Sequence, residues 1–288
     1  LYHQRRADPV LGLRRSRAAS SGLVPDLAAG LTCKADVGPE NPRMREPIQL
    51  QGFNNLTKCV SFNLYDFAIA RNEAERRSYL EFLHANFGSQ GITAILREIA
   101  EIIDAEVLSV SDQDYEPYGA SSLILMSDLG HVSVGAHLTK SHLCAHTYPD
   151  VADPRGICTF RADIVVATCG TIVPLRALDY MLRSFENDVV MVDYVVRGFT
   201  RDSEGRRVFI DHTVKSIQEW IDPAILAEYE REDLALPAHA IWQTKMLRTK
   251  LDETRYFAPG VDPSTPANQA LLDLVRREMW GVYHGLSS

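Results

Sequence analysis

Apolar and polar positions alternate with period two along residues 59–69. Val60, Phe62 and Leu64 interleave with Ser61, Asn63 and Tyr65, a spacing that predicts a strand. The period then changes. Asn72 followed by Glu75 is a capping box, and it opens a helix with Tyr79, Phe82, Leu83 and Phe87 on one side and Gly88 at its end. Ile92, Ile95, Leu96, Ile99 and Ile103 form a 3.6-residue stripe, so a second helix follows. Extended segments are expected at 106–110, 121–126, 132–137, 141–148 and 158–168. Pro174 opens a helical stretch over 174–185, and β-branched residues then fill a strand over 188–199. Residues 201–205 turn the chain back into 208–210 as a hairpin. Thr265 and Pro266 start a last helix bearing Leu271, Val275, Met279 and Val282. Strands outnumber helices and short turns join most of them. This favours an α+β fold over alternating βαβ units: an αβ sandwich, with helices packed on one face of a largely antiparallel sheet.

The first 43 residues break this pattern. They are Arg-rich, then rich in Ser, Ala and Gly, with no sustained apolar period, and the first methionine is Met44. A transit-like leader is one reading. The expectation adopted is a disordered extension over 1–43, with Met44 as the natural start and a single domain over 44–288. Seven basic against four acidic residues give that stretch +3, so the remainder carries −11 of the chain's −8 total. Such an acidic body disfavours nucleic acid or an anionic membrane as partner, and no apolar run reaches the eighteen residues of a membrane span. Five widely spaced cysteines in 288 residues do not make a disulfide scaffold. They point to free thiols in a reducing compartment, the cytoplasm. No GxGxxG, Walker A or HExxH string occurs.

The chemistry-bearing residues concentrate in 140–150, KSHLCAHTYPD. On a strand His142, Cys144 and His146 share a face and are competent metal ligands, though no CxxC or HxxxH partner stands nearby. Ser141 or Cys169 as nucleophile with His146 as base is a second reading. Ser141 and His146 have opposite strand parity, however, and lie about 17 Å apart along an extended chain. The third reading is ordinary packing, with cysteines as small hydrophobes.

The stretch resembles the self-cleavage site of the Gram-negative type of bacterial S-adenosylmethionine decarboxylase proenzymes, which depend on a pyruvoyl group. Further segments match in the same order: GFNNLTK (52–58), QDYEPYGAS (113–121), CTFRADIVVATCG (158–170), PLRALDY (174–180), VRGFTRD (196–202), FIDH (209–212) and TKML (244–247). Together they span 50 to 285, whereas residues 1–43 match nothing. Asp150 stands where the family usually has Glu, and the segment 128–136 looks shorter than in the family.

The resemblance implies cleavage between Lys140 and Ser141 into a β chain, 1–140, and an α chain, 141–288, that build the fold jointly. Ser141 becomes the pyruvoyl group that forms a Schiff base with the substrate. His146 is the proton acceptor in processing, and Cys169 the proton donor in catalysis. The implied reaction converts S-adenosylmethionine to its decarboxylated form and CO₂ for spermidine synthesis. Assembly of the αβ units into a homo-oligomer, possibly of four, and activation by Mg²⁺ are implied as well. Phe53 and Glu116 are candidates for contacting the substrate sulfonium, and His142 for orienting the new terminus. Cys144 and Cys158 are assigned to packing. The alternatives are a pyruvoyl decarboxylase of another amino acid and a non-catalytic regulatory paralogue.

Overall fold

The computed structural model describes residues 55–128 and 140–286. The expected extension over 1–43, Met44, Phe53, the strand at 132–137 and most of the segment 128–136 lie outside the described residues. β1 (Thr57–Ile69) is followed by α1 (Glu73–Phe87) and α2 (Ser89–Ile102). The Asn72 side chain accepts from the Glu75 N–H at 3.0 Å, as the capping pattern predicts. Next come β2 (Ala105–Asp114), β3 (Ala120–Asp128), β4 (Lys140–Asp150) and β5 (Ile157–Cys169). A 3₁₀ turn (Pro174–Ala177) leads into α3 (Leu178–Ser184), then β6 (Val189–Arg197) and the short pair β7 (Thr200–Arg201) and β8 (Arg207–Val208). The remaining elements are α4 (Pro223–Leu226), β9 (Tyr229–Leu236), β10 (Ile241–Arg248) and α5 (Pro266–His284).

Eight strands form one sheet in the order β2-β3-β4-β5-β1-β6-β10-β9. Every pairing in it is antiparallel. This is the α+β architecture expected from the pattern. Val60, Phe62 and Leu64 of β1, Phe160, Ile164 and Val166 of β5, and Val190, Val192 and Tyr194 of β6 point to one face. They pack there against Leu83, Phe87, Ile92, Leu96 and Ile99 of α1 and α2 and Leu178 and Met181 of α3. Alternation at period two and a helical stripe thus meet in one core. α5 refines the one-sided picture. Its Leu272, Val275, Met279 and Tyr283 seal Phe67, Ile69, Ile157 and Val189 on the opposite face, at one end of the sheet. Among the described residues no helix covers the rest of that face, here called the open face.

The hairpin of β9 and β10 carries no prediction from periodicity. β9, YEREDLAL, is an edge strand exposed along all but its first residue, so burial imposes no alternation on its sequence. The hairpin read at 201–210 exists only as the two-residue strands β7 and β8.

Candidate active site

Ser141 lies at the start of β4 and is buried; Leu143 and Ala145 follow it toward the helices, while His142, Cys144 and His146 alternate onto the open face. β4 runs between β3 and β5, with Ser141 opposite Met126 and His142 opposite Ala167. That register brings the end of β5 alongside Ser141, and the Cys169 backbone N–H donates to Ser141 Oγ at 3.0 Å. Cys169 itself is half-buried, in the open-face phase of β5 with Ala167 and Val165. Gly170 follows at φ +71°, where a side chain would strain the turn that ends the strand. The Ser141 hydroxyl and the Cys169 backbone are therefore brought together by strand register, although 28 residues apart in sequence, with the Cys169 thiol in the phase of the other face.

His146 is not delivered to the same point. It is half-buried opposite Asp163 of β5 and Ser121 of β3, five residues along β4 from Ser141, about 17 Å at strand rise. It also lies on the other face. The hydrolase pairing of Ser141 with His146 has no geometric basis within one chain. Nor do His142, Cys144 and His146 converge, and among the described residues no three His, Cys, Asp or Glu gather to hold a metal. Burial first, then the Asp163 charge, pushes the Cys144 thiol up. Cys158 is fully buried in the core, in keeping with a packing role.

Glu116 and Asp150 also stand away from Ser141. Glu116 sits in the turn between β2 and β3, in a cavity of about 310 Å³ shared with Thr147 and Pro149 at the far end of β4. Asp150 is exposed and accepts from the Ala152 N–H at 2.9 Å, closing its own turn. His142 is exposed on the open face.

A polar group to which the sequence assigns no role is buried near the Ser141 end of the sheet. Lys58 is fully buried on β1, directly opposite Thr168. Its Nζ donates to Asp211 Oδ2 at 2.7 Å, Asp211 Oδ1 lies 2.7 Å from His212 Nδ1, and His212 Nε2 lies 2.8 Å from the Tyr194 hydroxyl. Burial pushes the Asp211 carboxyl up, but the His212 hydrogen bond and the Lys58 ammonium outweigh it and hold the carboxyl below its ordinary range. The signal was available: Lys58 occupies the phase of Val60 and Phe62, where a strand buries apolar side chains.

A family model described as S-adenosylmethionine decarboxylase matches residues 87–198. The chain is 43% identical over 258 residues to the S-adenosylmethionine decarboxylase proenzyme of Stenotrophomonas maltophilia (strain K279a), covering 85% of this chain and 96% of that protein. It is 45% identical over 258 residues to the proenzyme of the same name from Xylella fastidiosa (strain M12), with the same coverage. A crystal structure of the adenosylmethionine decarboxylase from Aquifex aeolicus shares 18% identity at a TM-score of 0.29, covering 56% of this chain and 98% of that one, a likeness too low to bear on the fold.

Proposed function

This chain belongs to the family of S-adenosylmethionine decarboxylase proenzymes, and from that premise we propose a self-processing, pyruvoyl-dependent decarboxylase of S-adenosylmethionine. The hydrogen bond from the Cys169 N–H to Ser141 Oγ carries the reading. It unites the two residues to which the resemblance gives separate tasks, and it orients a buried hydroxyl beside its own peptide bond. In processing, Ser141 Oγ attacks the carbonyl carbon of Lys140, the amide becomes an ester, and the nitrogen of Ser141 leaves as a free amine. A base then takes the Ser141 α-proton and the fragment 1–140 departs as a carboxylate. The resemblance gives this task to His146, whose imidazole suits it. Because its ring stands on the other face five residues along β4, the proposed acceptor is the His146 of a second copy in the homo-oligomer. What remains of Ser141 takes up water and releases ammonia to leave the pyruvoyl group.

The position of Ser141 fits such a group in being buried at the start of β4 with the end of β5 alongside, although the Cys169 thiol lies in the open-face phase of its strand and the Ser141 side chain in the helix-facing one. When present, a pyruvoyl group supplies a carbonyl that holds the substrate amine and accepts the electron pair freed as CO₂ leaves. Cys169 is the proposed donor of the proton that replaces CO₂ on the substrate α-carbon. The decarboxylated product would serve as aminopropyl donor for spermidine synthesis in the cytoplasm. Homo-oligomers of the cleaved unit belong to the same proposal, and exposed Leu123 and Leu125 on the open face of β3 give a second copy apolar surface to cover. Activation by Mg²⁺ is part of it too, although among the described residues no cluster of His, Cys, Asp or Glu would hold the ion.

Intact mass spectrometry of the purified protein tests the reading. Two chains meeting between Lys140 and Ser141 are expected, the second with a pyruvoyl terminus. Ser141→Ala should remain one inactive chain, and Cys169→Ala should be cut yet lose about 10²-fold or more in kcat. A Ser141→Ala chain that is still cut would overturn the site. A panel of amino acids decides the substrate: release of CO₂ from another amino acid in preference to S-adenosylmethionine would replace the proposed one.

A further inference from the structure

We propose that Lys58, Asp211, His212 and Tyr194 form a positioning relay that holds the end of β5, and with it the Cys169 N–H, against Ser141. The inference rests on the processing reading above. Residues of three segments that carry the family resemblance meet at this point: Lys58 of 52–58, Thr168 and Cys169 of 158–170, and Asp211 and His212 of 209–212.

The connection is continuous. Thr57 and Lys58 of β1 pair with Cys169 and Thr168 of β5, so the β1 backbone sets where β5 ends. Thr168, fully buried, has Oγ1 at 3.3 Å from both the Lys58 and the Ile172 carbonyl oxygens, which ties the turn after Cys169 back to β1. From Lys58 the chain of contacts leaves the sheet. The ammonium is fixed by Asp211, and Asp211 is fixed by His212. His212 is fixed by the Tyr194 hydroxyl on β6, the neighbour of β1 on its other side. A neutral imidazole satisfies both ends, donating from Nδ1 to the carboxylate and accepting at Nε2 from the hydroxyl. Asp211 and His212 lie in no strand, so the relay joins an irregular segment to the strand that flanks Cys169.

A buried ion pair contributes little net stability over an apolar pair of similar volume. What it does supply is one geometry: an ammonium and a carboxylate with few alternative partners fix a register that apolar groups would let slide. His212 is also held by ring contacts, 5.8 Å from Tyr194 and 6.2 Å from Trp220 between centroids. The aromatic part of this cluster can therefore keep the fold when the charges are removed.

The test follows cleavage rather than turnover. Full-length chains are made by cell-free synthesis, and the uncut fraction is followed on denaturing gels. The double variant Lys58→Met with Asp211→Leu removes both charges at matched volume. Tyr194→Phe removes one oxygen from the far end of the relay. With folding checked by melting temperature, the double variant should be cut about 10-fold or more slowly, and Tyr194→Phe about threefold, since small misplacements of reacting groups cost such factors. The uncut chain should not become sensitive to hydroxylamine, because the defect precedes ester formation. Asp211→Glu should recover more of the rate than Asp211→Asn. Wild-type rates in a folded double variant overturn the relay, as do wild-type rates in Tyr194→Phe, which decides the matter should the double variant not fold. An uncut wild-type chain would instead overturn the processing reading itself.

Discussion

Cys158 and Cys144 are both free thiols of the central strands, yet they face opposite sides of the sheet and should react differently. Burial pushes the Cys158 thiol up to about 12, so at pH 8 roughly one molecule in ten thousand carries the thiolate there. Cys144 is raised less and is half-buried on the open face. Brief treatment of the native protein with iodoacetamide should modify Cys144 and spare Cys158 until the chain is unfolded. Equal labelling by peptide mapping would contradict the packing. His146 poses the other residue-scale question. Its proposed role in processing predicts that His146→Ala slows cleavage by about 10²-fold and that added imidazole restores part of the rate. An unchanged rate would remove His146 from the processing step. The types of these residues were legible from the sequence. Their partners were not, because the contact of Ser141 with Cys169 depends on which strands lie side by side.

Among the elements, α1 is held to the sheet through Phe87, whose ring stacks on Phe160 of β5 at 5.0 Å and on Phe185 at 5.1 Å between centroids. Phe87→Ala should cost about 3–5 kcal/mol in denaturant unfolding, because the cavity cannot be refilled from two flanking rings. Cleavage at a permissive temperature should persist, since Phe87 packs near Thr147 and Pro149, at the other end of β4 from Ser141. The turn after β6 is stricter. Gly198 has φ +81°, and a Cβ there would lie 2.2 Å from the Asn55 carbonyl oxygen. Gly198→Ala should therefore displace Asn55, which donates to and accepts from the Phe199 backbone, and loosen the entry into β1. α1 and α2 could be read from periodicity because each buries one face only, and β1 because it alternates buried and half-buried positions up to Asp66, before its end is buried on both faces. β9 could not: at the sheet edge its Glu230, Arg231, Glu232 and Asp233 face solvent, where charge guards the edge and no period is required.

For the whole molecule, the strand order decides what a cut before Ser141 would do. β1 of the amino fragment lies between β5 and β6 of the carboxy fragment, paired along 13 residues with one and 9 with the other, and β3 pairs with β4. The two pieces should co-elute under native conditions and separate only in denaturant; dissociation in plain buffer would contradict the topology. Stability should also respond to acid through Asp188. This carboxylate accepts from Arg255, from the Tyr256 hydroxyl and from the Phe67 N–H. Burial nevertheless pushes it up to about 6, against the opposing pull of Arg255. A carboxyl raised above its unfolded value favours the folded state when protonated, so its contribution grows as pH falls through that value and is lost as pH rises through it. The melting-temperature advantage of wild type over Asp188→Asn should therefore widen between about pH 7 and pH 5. A constant difference would place the Asp188 titration elsewhere.

Local order and chemical inventory were settled by the chain itself. Short-range periodicity dictates which faces are apolar, and side-chain type dictates that a serine, a histidine and a cysteine are available for reaction. Only the packed sheet decided that the Cys169 N–H meets Ser141 Oγ and that Lys58 is neutralised from a loop 153 residues away. Such meetings depend on strand order and register. Both are chosen by the burial of the whole core at once, and no stretch of sequence shorter than the fold contains that information.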